Sequence, residues 1–69
     1  MSAVADGLSP DELSRLRHDL RTPLTVVIGF AEILSGPRPL SDEDRRDYAE
    51  RVLSAALEIR EMIDAAKLD

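Results

Sequence analysis

The sequence predicts an all-α fold: an antiparallel helical hairpin that dimerises into a four-helix bundle. Three observations predict it. Apolar residues recur at steps of three and four through two long segments. Each segment opens on a serine cap, and the first ends at a glycine–proline cluster, "SGPRP". The chain is 69 residues long and has no cysteine, so neither a large core nor a disulfide framework can hold it together. One tyrosine and one phenylalanine, among much Leu, Ala, Arg, Glu and Asp, suit helices better than strands.

Residues 1–8 read as a mobile lead-in, and residues 9–69 as the hairpin. In "SPDE", Ser9 is a good N-cap, Pro10 suits the first helical position and Glu12 completes a capping box. Asp11 and Glu12 also set negative charge at the positive end of the helix dipole. Helix one is expected over about 10–34, with a loop over 35–40. The second start is "SDED", with Ser41 as cap, Asp44 at the capping-box position and three acids in the first turn. From there the chain runs without Gly or Pro, so helix two is expected to span about 41–67.

Leu13, Leu16, Leu20, Leu24, Val27, Ala31 and Leu34 form the expected stripe of helix one. Tyr48, Val52, Ala56, Ile59, Ile63 and Ala66 form that of helix two. Each rod would be about 37 Å long at 1.5 Å per residue, and a short loop makes them antiparallel neighbours. A lone hairpin leaves both stripes half wet. Val26, Ile28, Phe30, Ile33, Leu53 and Leu57 widen them beyond what one neighbour covers. A homodimer, two hairpins in one four-helix bundle, solves the problem.

The formal net charge of −5 argues against nucleic acid as a partner, since that affinity rests on clustered Lys and Arg. No apolar run approaches the roughly 20 residues of a membrane span, so no direct membrane contact is expected. The opening "MSAVADG" lacks the features of a signal peptide; with the missing cysteines, this points to the cytoplasm. One histidine and scattered carboxylates make a poor metal constellation, and no metal site is expected.

The chemistry concentrates in "RHDLRTPL", residues 17 to 24. At about 100° per residue, the leucine stripe centres roughly 160° from His18, so the imidazole faces water. A histidine filling a core gap fits this phase poorly; a surface histidine without a role fits it well. Its neighbours weigh against that bland reading. Ser14, Thr22, Thr25 and Gly29 share the outward face and are all small or hydroxylic. Thr22, four residues on, lies next to the ring, and Asp19 lies about 100° around the helix. A neutral imidazole carries a lone pair on one ring nitrogen, as nucleophilic attack needs. Pro23 offers no N–H to the carbonyl of Asp19 and crowds it, so a bend is expected one turn below the histidine. That bend is either a tolerated kink or a weakened ladder that lets the histidine turn shift between partners.

The stretch "LRHDLRTPLTVVIGFAEIL" resembles the H-box of sensor histidine kinases, whose pattern is a histidine, an acid, Leu-Arg and Thr-Pro-Leu. The resemblance extends over nearly the whole chain, to the dimerisation and histidine phosphotransfer domain of the HisKA type. It implies that this is the dimerisation and phosphoacceptor domain of a two-component sensor histidine kinase. His18 would be the phosphoacceptor that attacks the γ-phosphoryl of ATP and passes it to an aspartate of a response regulator. Asp19 would accept a hydrogen bond from the other ring nitrogen as general base, and Thr22 would orient water where the kinase is also a phosphatase. Arg17 and Arg21 flank the site, either attracting phosphate or as ordinary solvated helix charges. The family's receiver surface maps onto Thr25, Val26, Gly29 and Phe30 and the facing part of helix two. Val26 and Phe30 there either form a small apolar dock or pack within the dimer.

Three glycines, none arranged to cradle phosphate, leave no nucleotide site in this chain. The resemblance therefore implies that ATP and Mg are presented by a separate ATP-binding catalytic domain. Two other readings compete. One is a non-enzymatic helical dimerisation or scaffold module with an unused H-box. The other is a monomeric His-containing phosphotransfer bundle, which needs four helices where this chain has room for two.

Overall fold

The computed structural model describes residues 7–66 and contains two helices, α1 (Pro10–Ser35) and α2 (Asp42–Ala65), packed against each other as a hairpin. Residues 1–6 of the expected lead-in, and Lys67 at the expected end of helix two, lie outside the described residues. The molecule is a rod of 54 × 15 × 13 Å.

The caps form as the sequence dictates at the first start and only in part at the second. Ser9 Oγ accepts from the Glu12 N–H at 3.1 Å, and Glu12 Oε1 accepts from the Ser9 N–H at 2.9 Å. At Ser41 the side chain accepts from the Asp44 N–H at 3.0 Å, but no reciprocal bond from Asp44 accompanies it. The aspartate is one methylene shorter than the glutamate or glutamine that closes such a box. Helix α1 ends one residue later than expected, with Gly36 as cap at φ −80° and ψ 175°. This glycine does not use the left-handed region. Its extended backbone is the one that the following Pro37 imposes. Helix α1 also runs unbroken through Pro23.

The seam differs in detail from the expected stripes. In α1 the half-buried or buried residues are Leu16, Leu20, Pro23, Val27, Phe30 and Leu34. Leu13, Leu24 and Ala31 are exposed. In α2 and its C-cap the seam is Tyr48, Val52, Ala55, Ile59, Met62 and Ala66, while Ala56 and Ile63 are exposed. The reason is geometric. Each helix carries more than one apolar face, and a stripe averaged over all its apolar residues points between them. Pro23 and Ala55 are the buried residues, and both line one cleft between the helices. A proline ring without an N–H donor and a methyl side chain are compact partners for a close helix approach.

The hairpin leaves a second apolar face open. Leu13, Leu24 and Ile28 of α1 are 46, 47 and 49% exposed, and Leu53 of α2 is 58% exposed. Counting about 100° per residue, Leu24 and Ile28 lie to one side of the α1 seam, and Val26 and Ile33 to the other. The antiparallel arrangement sets Ala49, Ala56 and Ile63 of α2 on the same side of the hairpin as Leu24 and Ile28. No described helix is long and apolar enough to cross a membrane.

Candidate functional site

His18 sits in the third turn of α1, on the flank away from α2, and its side chain is 85% exposed. The phase of the helix puts it there, because the seam residues Leu16 and Leu20 bracket it on the far side of the cylinder. Its Nδ1 lies 3.5 Å from Oδ1 of Asp19, which is itself about half exposed. At that separation the two groups are in contact range without a hydrogen bond, which needs a closer approach. With Nδ1 turned toward the carboxylate, Nε2 is the ring nitrogen left facing solvent. Hydrogen bonding at one ring nitrogen sets the proton there and the lone pair on the other.

Two threonines follow, and the structure separates them. Thr25 donates its hydroxyl to the carbonyl of Arg21 at 2.8 Å. The Thr22 hydroxyl makes no hydrogen bond among the described residues. Thr22 is exposed, lies one turn beyond His18, and lines the cleft that continues down the hairpin. Of the two hydroxyls, only this one is uncommitted and beside the imidazole.

Below the histidine, Thr25, Val26, Gly29 and Phe30 come together with Ile33 in an open apolar recess of about 270 Å³. Sequence reasoning named the first four and did not include Ile33 in the surface, although it lies one turn past Gly29. Val26 is exposed in the hairpin. Phe30 is not: it is half-buried, with its ring 5.3 Å from that of Tyr48. The Arg51 guanidinium lies 5.7 Å over the Phe30 ring and accepts no freedom from its other neighbour, since its Nε donates to Asp47 Oδ2 at 3.2 Å. Gly29 is telling. It has ordinary helical backbone, and a Cβ built on it would meet nothing within 4 Å. No neighbour in the hairpin requires a glycine there.

A wider cleft of about 440 Å³ runs beside the seam, with Thr22, Pro23, Val26 and Phe30 on the α1 wall. Its α2 wall carries Asp47, Glu50, Arg51, Ser54 and Glu58. These α2 residues went unnamed at the sequence level. Arg17 and Arg21 are exposed beside the histidine, and neither forms an ion pair among the described residues. No group of three or more His, Cys, Asp or Glu side chains among the described residues could hold a metal ion.

Comparison with known proteins places the chain in a family. The chain is 34% identical over 61 residues to a sensor histidine kinase, YcbM, of Bacillus subtilis (strain 168), covering 83% of this chain and 20% of that protein. It is 36% identical over 62 residues to the sensor protein DivL of Caulobacter vibrioides, covering 90% of this chain and 8% of the relative. The cell-division control histidine kinase PdhS of Brucella ovis is 35% identical over 46 residues, 64% of this chain and 4% of its own length. The chain thus spans a fifth or less of these relatives. No solved structure matches it significantly. Residues 11–67, which take in nearly all of both helices and the histidine turn of α1, match the family described as the His Kinase A (phospho-acceptor) domain, and the chain belongs to that family.

Proposed function

We propose that His18 is the phosphoacceptor of a two-component relay, loaded from ATP by a separate catalytic domain and unloaded onto an aspartate of a receiver domain. The single observation that carries this reading is the exposed imidazole with Nδ1 turned to Asp19 and Nε2 open to solvent. In the forward step the Nε2 lone pair forms the N–P bond to the γ-phosphorus as the bond to the ADP oxygen breaks. ADP leaves with that electron pair, and the Nδ1 proton passes toward the Asp19 carboxylate, which offsets the charge building on the ring. In unloading, a receiver carboxylate oxygen forms an O–P bond as the N–P bond breaks; that electron pair returns to Nε2, and the proton returns from Asp19 to Nδ1. Where phosphatase activity accompanies it, the free Thr22 hydroxyl orients the attacking water. ATP and its Mg belong to the other domain; the hairpin supplies the nucleophile, its base and its docking faces.

The working form is a homodimer. The exposed face of Leu13, Leu24, Ile28 and Leu53 is covered by the same face of a second copy, giving a four-helix bundle.

The test supplies the chain with the catalytic domain of a sensor histidine kinase and radiolabelled ATP. Acid-labile label on His18, absent in His18→Gln and lowered about 100-fold or more in Asp19→Asn, is the expected result. Label that persists in His18→Gln, or a wild-type chain that takes none while its dimer is intact, overturns the proposal.

A further inference from the structure

Two arginines flank His18 on one side, and the chemistry above uses neither. Counting about 100° per residue, Arg17 lies about 100° and Arg21 about 60° to one side of His18, while Asp19 lies about 100° to the other. That side is the open apolar face, since Arg17 falls in phase between Leu24 and Ile28. On α2, Arg60 falls in phase between Ala56 and Leu53, on the same face. All three arginines are exposed, and none forms an ion pair among the described residues. The register between the helices fixes their levels. Phe30 meets Tyr48, Pro23 shares a cleft with Ala55, and Leu16 shares one with Met62. This register sets Arg60 level with His18, between the levels of Arg17 and Arg21. Within one hairpin Arg60 still points away from the imidazole, because His18 stands on the flank of α1 remote from α2.

A two-fold axis along the rod changes this. It lays α2 of each copy on the open face of the other's α1 at the same level, with Leu24 beside Leu53 and Ile28 beside Ala49 of the opposite copy. Resting on the phosphotransfer and homodimer readings above, we propose that Arg60 of one copy joins Arg17 and Arg21 of the other in a guanidinium collar around His18. The collar binds the phosphoryl oxygens, so the phosphoryl site is complete only in the dimer. Guanidinium forks match such oxygens two at a time, and each of these three is free of a carboxylate in the hairpin. While His18 is bare, three like charges crowd one level. Asp64, one turn after Arg60, offers a single carboxylate against them and does not pair with Arg60 in the hairpin. The phosphoryl group supplies the missing negative charge. Loading His18 therefore tightens the dimer that holds it.

The experiment phosphorylates the chain with the catalytic domain of a sensor histidine kinase and ATP, then removes both. Sedimentation velocity across a dilution series compares the phosphorylated and bare chains. The expected result is a dimer at least about 5-fold tighter when His18 carries phosphate, with the gain shrinking as salt rises. Arg60→Gln is expected to abolish the gain while its bare form dimerises no less tightly than wild type. A mixture tests whether Arg60 acts across the dimer. Phosphorylated Arg60→Gln is expected to pair at least about 5-fold more tightly with His18→Gln, which brings an intact Arg60, than with itself. A dimer indifferent to phosphate, a gain that survives Arg60→Gln, a bare Arg60→Gln dimer weaker than wild type, or no preference in the mixture each overturn the proposal. A chain that dimerises but takes no phosphate fails the phosphoacceptor reading, and one that takes phosphate but never dimerises fails the homodimer reading. Either failure removes the collar as well and is told apart from a failure of the collar alone.

Discussion

The Phe30 ring lies 5.3 Å from that of Tyr48, tilted by 34°, and this contact ties the recess on α1 to the start of α2. It fixes the antiparallel register near the loop and holds one wall of the cleft beside Thr22 in place. Phe30→Ala removes both, and because the ring is only half-buried the expected loss is about 2 kcal/mol, below that of a fully buried phenylalanine. Tyr48→Phe keeps the ring pair and is expected to stay within about 0.5 kcal/mol of wild type. Urea unfolding at one fixed protein concentration checks both, since the stability of the proposed dimer depends on concentration.

The hairpin itself was legible in the sequence because its caps and breakers are local. Ser9 with Glu12, Ser41, and Gly36 before Pro37 each act within one turn. The partition of apolar residues was not. Leu24 and Val27 are both apolar and lie three apart, yet Val27 meets α2 and Leu24 faces outward. Only the register between helices decides which shoulder of a wide stripe is covered. For the same reason His18 and Thr22 could be named from a motif, whereas Arg51, Ser54 and Glu58 reach the cleft through a tertiary pairing that sequence spacing does not encode.

Leu24 and Leu53 test the second face. Both are about half or more exposed in the hairpin, so a charge there costs little within one copy. Leu53→Glu is expected to weaken self-association by tenfold or more, about 1.4 kcal/mol, by setting a carboxylate into an apolar interface. Sedimentation velocity across a micromolar dilution series reads this directly. A variant that sediments as the wild type does would place the dimer face elsewhere.

The two N-caps are expected to differ in strength. At Ser9 two reciprocal bonds are present, while at Ser41 the side chain accepts one. Ser9→Ala is expected to cost about 1 kcal/mol, and Ser41→Ala somewhat less. Hydrogen exchange at the first turn of each helix, with thermal unfolding beside it, separates the local from the global effect.

Thr22 and Thr25 are matched controls for each other. Thr25 is committed to the Arg21 carbonyl, whereas the Thr22 hydroxyl is free. Thr22→Ala is expected to slow loss of phosphate from a phosphorylated receiver domain by about 10-fold or more. Labelling of His18 should stay within about 2-fold, because the nucleophile and its base are untouched. Thr25→Ala is expected to leave His18 labelling unchanged and, because Thr25 lines the recess below the histidine, to act on receiver dephosphorylation through affinity alone, with no slowing at saturating receiver. Equal slowing in the two variants would assign the effect to the helix rather than to the hydroxyl.

Gly29 offers a prediction with two opposite signs. A glycine in the middle of a helix is about 0.5–1 kcal/mol worse than alanine, because the unfolded chain has more freedom to lose. Here the backbone is helical and a methyl group would meet open space, so Gly29→Ala has no packing penalty to set against that gain. The variant is expected to unfold at higher urea concentration than wild type. If the missing side chain makes room for a partner, the same variant transfers phosphate to its receiver more slowly, and Gly29→Leu more slowly still. His18 labelling would be unchanged in both. A stabilised hairpin with undiminished transfer would mean that the recess at Gly29 is not where the partner approaches.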